Sequence, residues 1–112
     1  MKKLLLDTIR IRGIRSTTAS HQRKVWLNNT LLKLDKSLKV KAHSLHGFNW
    51  GDNEKGGLQL ALAICIEIYP KEMVKRVYPD FYKVFLADIQ EDGFDLTLNL
   101  DGFNRKAVEA LT

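Results

Sequence analysis

Leu58 to Ile68 is apolar on almost every side of any helix it forms, and a segment of that kind has to lie inside the protein. Only Gln59 and Glu67 interrupt it; they stand eight residues apart, close to one face. The β-branched Ile64, Ile66 and Ile68 also suit a strand, but Ala61, Ala63 and the length of the run favour a helix. The core is therefore expected to be built on Leu60, Leu62, Ile64, Cys65 and Ile66, joined by Val77, Phe81, Phe85 and Leu96. A chain of 112 residues supports one such core, so a single domain over 1–112 is expected. No apolar run reaches the roughly 18 residues of a membrane span, and a membrane partner is not expected.

The flanking periods assign the other elements. Leu5 to Arg12 alternates, which predicts a strand with Ile9 and Ile11 inward and Arg10 and Arg12 outward. Gly13 and the polar run 16–20 read as a loop. Lys24–Leu27 and Thr30–Leu34 flank Asn28-Asn29, a pair that tolerates positive φ and predicts a two-residue hairpin. Leu38 and Val40 alternate with Ser37, Lys39 and Lys41, which reads as a short edge strand guarded by lysines. Residues 42–57 show neither period and read as a loop. Pro70 ends the central helix or opens the next. Apolar residues from Val74 through Val77, Tyr78, Phe81, Val84 and Phe85 to Ile89 recur at helical spacing. Pro79 inside that run predicts a kink or two helices meeting near Tyr78. Phe94, Leu96, Leu98 and Leu100 form a last strand, and Asp101 is placed to cap a short terminal helix. The sum is α+β: a small antiparallel sheet, made of the N-terminal strands, the hairpin and one late strand, packed on a buried central helix and a kinked amphipathic one.

Charge divides the chain. Residues 1–49 hold eleven Lys and Arg against Asp7 and Asp35, whereas residues 50–112 hold seven against eleven acidic residues. Such asymmetry marks either a face for nucleic acid or phosphate, or two halves that neutralise each other across the fold. The candidate phosphate-binding residues are Arg10, Arg12, Arg15, Arg23, Lys24, Lys39 and Lys41; Trp26 is the one aromatic among them. A second candidate is Lys55-Gly56-Gly57, a glycine pair leading into a helix whose N–H groups attract anions. The alternative is a tight bend with Phe48 and Trp50 filling the space beneath it. Cys65 is the single cysteine, so no internal disulfide forms, and Met1 to Leu6 is too short for a signal peptide; a cytoplasmic location is expected.

The stretch His43-Ser44, Gly47-Phe48-Asn49-Trp50-Gly51, Gly56 and Gln59-Leu60-Ala61-Leu62-Ala63 resembles a bacterial and mobile-element family known only as a domain of unknown function. Val25 to Asn29 is similar to that family's first hairpin, and Tyr78, Phe81 and Phe94-Asp95-Leu96 to its later pattern, so the resemblance covers roughly residues 9–100. Asn49 stands where the family usually has Glu, and Asp52 to Lys55 replaces its Tyr-Gly-Gly-Ser segment. The resemblance implies no enzymatic activity, and it implies a gene able to travel with phages or plasmids. Within this motif loop His43, Gly47, Phe48, Trp50, Gly51 and Gln59 are singled out. Trp50 is expected as a packed anchor, Gly47 or Gly51 in a backbone conformation other residues avoid, and Gln59 bonded to loop backbone.

His43-x-x-His46 with Asp52 and Glu54 offers nitrogen and oxygen ligands, but without a second fixed pair no metal is expected. Cys65 within an apolar helix behaves as a small hydrophobe rather than a nucleophile. No nucleophile elbow, Walker loop or dinucleotide fingerprint is present, so neither catalysis nor a cofactor is expected. The expected function is binding, with a nucleic acid, nucleotide or other phosphate-bearing ligand. The rival is an inhibitor of the mobile-element type that docks on a host defence or regulatory protein.

Overall fold

The computed structural model describes residues 5–15 and 23–110. Strand β1 (Thr8–Arg15) lies between β2 (Arg23–Leu27) and β4 (Phe94–Asn99), with the two-residue β3 (Thr30–Leu31) outside β2. All pairs are antiparallel in the order β3-β2-β1-β4. Asn28 and Asn29 have φ of 48° and 70°, the two positive values that let a two-residue turn follow the right-handed twist of its strands. The helices are α1 (Leu34–Val40), α2 (Glu54–Ile68), α3 (Lys71–Phe81), a π-helical turn (Tyr82–Leu86) and α4 (Asp101–Glu109). The fold is α+β.

One sheet face carries Ile9, Ile11, Val25, Leu27 and Leu98, all buried in one cluster with the helices. At its centre α2 buries every residue from Gln59 to Cys65. Of the expected core, Leu60, Leu62, Ile64, Cys65, Val77 and Phe81 are inside, while Ile66, Phe85 and Leu96 are half-buried at its border.

Several expectations are corrected. Gly13 is not the start of a loop but part of β1, on its inner side. A Cβ there would stand 2.4 Å from the Phe94 ring, so the missing side chain makes room for that ring beside β1. Residues 38–41 are not an edge strand: Leu34 to Val40 is helical, with the Ser37 hydroxyl donating to Leu34 O and accepting from Gln59. Docking on α2 selects the four-residue spacing of Leu34 and Leu38 over the two-residue spacing of Leu38 and Val40. The central helix begins at Glu54, one turn before Leu58, because the Asn53 side chain accepts from Gly56 N–H and its carbonyl from Gly57 N–H. Asp101 does not cap α4; it is the first helical residue, its N–H donating to Asn99 Oδ1 and its carboxylate pairing with Arg105.

At Pro79 the missing N–H is absorbed without breaking the helix. Helix α3 runs on to Phe81 and widens into the π turn, closed by Ala87 N–H on Tyr82 O. The inserted residue rotates the face that follows. Tyr82 and Leu86 are buried where a regular helix would bury Val84, which is 58% exposed.

Candidate functional site

Among the described residues, no helix covers the other sheet face. Its residues alternate with the buried set, and Arg10, Arg12, Ile14, Lys24, Leu31, Asp95, Thr97 and Asn99 are all exposed. Strand register places Leu31, Trp26, Arg12 and Asp95 in one row across all four strands. Ile14 and Lys24 form the adjoining row on one side, Arg10 and Thr97 the row on the other. Trp26 is half-buried, and the Arg12 guanidinium lies over its ring, 4.7 Å from the centroid. Arg10 reaches diagonally to Asp95: Nε donates to Oδ1 at 2.8 Å and Nη2 to Oδ2 at 2.6 Å. That forked pair holds the Asp95 carboxyl below its ordinary range and raises Arg10, in each case chiefly through the hydrogen bonds. The hairpin turn is tied to the same place, with Arg10 N–H donating to Asn28 Oδ1 and Asn28 N–H to Arg10 O.

Arg10 and Arg12 share this face, as their alternation predicts, and Lys24 joins them. Three cations there stand against one carboxylate, which Arg10 engages. The anticipated neutralisation by the acidic half thus occurs at Arg10 through Asp95. Lys39 and Lys41 do not adjoin the arginines: they lie in the last turn of α1 and just after it, in a helix rather than a strand. Arg23 stands on the opposite side of the sheet, its guanidinium 5.8 Å from the Trp50 ring. Arg15 pairs with Arg23 in register, but its side chain lies outside the described residues. Trp26 was visible as the aromatic of the basic segment; its position beside Arg12 needed the register.

The glycine pair before α2 faces inward. A Cβ on Gly56 would meet the Asn49 Cβ at 2.3 Å, and one on Gly57 the Tyr82 ring at 2.2 Å. Their N–H groups go to Asn53, so they are the seam between loop and helix, and only Lys55 is exposed.

The motif loop is a packed structure. Trp50 is 6% exposed, donates from Nε1 to Glu91 O at 2.9 Å and meets Phe94 edge-on. Gly51 has φ of 72° and would place a Cβ 2.5 Å from Ile89 O, while Gly47 has φ of 128°. Gln59, fully buried, accepts on Oε1 from the N–H groups of His43 and Ser44 and donates from Nε2 to Ser37 Oγ and Lys41 O. His43 Nε2 is 2.6 Å from Tyr78 Oη, and burial, helped by Lys41, lowers the histidine pKa. Burial pushes the Cys65 thiol well above its usual range. Among the described residues no group of three or more His, Cys, Asp or Glu side chains is placed to hold a metal ion. No described helix is long and apolar enough to cross a membrane.

A groove of about 690 Å³ runs between the hairpin, α1 and α2, with Leu27, Leu32 and Ile66 on its floor and Lys33, Lys36 and Lys39 on its rim. Lys36 is paired there with Glu67 at 3.1 Å.

No curated protein and no solved structure matches the chain. A family model does, over residues 12–108, from the middle of β1 through almost all of α4. By that match the chain belongs to the family of unknown function DUF6166.

Proposed function

We propose that the protein is a non-enzymatic nucleic-acid-binding protein acting through the sheet face of Arg10 and Arg12. The observation that carries this reading is the cluster of Arg10, Arg12 and Lys24 around Trp26 on a face that no described helix covers. Cations on a flat surface attract a phosphate backbone, and an aromatic among them adds a contact to bases. The charge asymmetry of the chain supports the same reading. The test is a fluorescence-anisotropy titration with labelled oligonucleotides at several salt concentrations. Affinity falls with salt, with a log–log slope of about −0.7 to −0.9 per phosphate contact. Arg12→Glu with Lys24→Glu weakens binding at least about tenfold, whereas Lys75→Glu with Lys83→Glu, on the helical side, does not. The helical pair leaves the melting temperature nearly unchanged, whereas Arg12→Glu, opposite Asp95 and beside Trp26, lowers it modestly, so binding is compared well below both transitions. A flat titration at low salt against both single and double strands sinks the reading.

A protein partner is the second reading. The observation favouring it is the groove beside α1, whose apolar floor and rim of Lys33, Lys36, Lys39, Asp35 and Glu67 suit an amphipathic segment of a regulatory or defence protein. A mobile-element inhibitor would act in this way, and a flat nucleic-acid titration moves this reading to first place.

A further inference from the structure

Resting on the nucleic-acid reading, we infer that Arg12, seated over Trp26, is a base-stacking platform that makes the sheet face selective for single strands.

A guanidinium is planar, and the central carbon of the Arg12 guanidinium lies over the Trp26 ring, 4.7 Å from its centroid. Arg12 is exposed, so solvent reaches part of its side chain. Two further contacts keep it in place. Trp26 is half-buried between its cross-strand neighbours Leu31 and Arg12, which limits how the ring turns. Asp95, the direct neighbour of Arg12 on β4, would otherwise draw the guanidinium sideways. Both its oxygens accept from Arg10 at 2.8 and 2.6 Å, so Arg10 competes with Arg12 for the carboxylate. Arg10 and Trp26 are therefore positioning residues, and Arg12 makes the contact.

An unstacked base fits the open side of a guanidinium as it fits an aromatic ring. In a duplex the base faces are covered by their neighbours, and only phosphates and groove edges are presented. Lys24 lies one row away on the same face, about 7 Å along β2 from Trp26, within reach of the phosphate attached to a base stacked on Arg12. Ile14 and Leu31, each 45% exposed, give the same face an apolar surface suited to sugar and base rather than to a charged backbone alone. The occupant with matching charge and stacking surface is a single-stranded nucleic acid.

Lysine separates charge from planarity, because it keeps the cation and loses the plane. Labelled single strands of mixed sequence, and the same strands as duplexes, are titrated with wild type, Arg12→Lys, Trp26→Phe and Trp26→Leu. Wild type prefers the single strand by about tenfold. Arg12→Lys removes most of that preference, lowering single-strand affinity about tenfold and duplex affinity far less, with its melting temperature as a control for folding. Trp26→Phe keeps the preference and Trp26→Leu loses it. If Arg12→Lys binds the single strand as tightly as wild type, or wild type binds duplex equally well, the stacking inference is overturned while the electrostatic reading stands. If no oligonucleotide binds at all, both fall together.

Discussion

Gln59 uses every hydrogen-bonding position of its amide on backbone and side-chain groups of the segment 37–44. A polar side chain in the second turn of a buried helix is costly unless satisfied, and here satisfaction joins α1, the motif loop and α2. Gln59→Leu leaves the N–H groups of His43 and Ser44 and the Ser37 hydroxyl short of partners, and is expected to cost about 3 kcal/mol in chemical denaturation. His43 carries a pH dependence. Its folded pKa is lowered from 6.5, so the unfolded chain binds the proton more readily. The stability tied to the neutral ring is complete above about pH 6.5 and is lost as pH falls from there through the folded pKa. Melting curves between pH 7.5 and 5 should show this loss in wild type and a smaller one in His43→Gln; equal losses would place the proton elsewhere.

Element boundaries follow from what each element meets. Strand β1 continues through Gly13 because the Phe94 ring lies where a side chain would be, and that ring closes edge-on against Trp50. Gly13→Ala has better strand propensity yet should destabilise by about 1–3 kcal/mol through overpacking. Phe94→Leu in the same chain should recover part of that loss, and additive losses would show that the two sites do not touch. The π turn has a similar origin. Pro79 cannot donate to the helix, and widening one turn later lets Tyr82 reach inward, where its hydroxyl donates to Gly51 O at 2.8 Å. Val84 then faces solvent, so the regular helical period misplaces it by one position.

Among the described residues, the helical layer closes one side of the sheet and no helix covers the other. Phe81 shows how closely the covered side is joined. It is fully buried, packs at 4.8 Å from Phe85 and 5.7 Å from Phe103, and so connects α3, the π turn and α4. Phe81→Ala should cost about 3–5 kcal/mol, read as a lowered melting temperature. On the other side of the sheet, charge reversal at Lys24 should be tolerated, whereas reversal at Arg10 or Arg12 gives up the Asp95 pair or the Trp26 contact.

What the chain determined alone is what short-range chemistry expresses. The alternation of Ile9 and Ile11, the positive-φ pair Asn28-Asn29, the all-round apolar α2 and the anchoring of the loop by Trp50 and Gln59 each depend on residues close in sequence or on one unavoidable burial. Tertiary structure decided the rest, because two local patterns were compatible with the residues or because the partner lies far along the chain. Leu34, Leu38 and Val40 satisfy both a helix and a strand, and contact with α2 selects the helix. Gly13 is strand because Phe94, more than eighty positions away, fills its side. The rows Leu31–Trp26–Arg12–Asp95 and Arg10–Thr97 exist only once β4 pairs with β1, and register, a long-range property, decides which cation meets a carboxylate and which meets a ring.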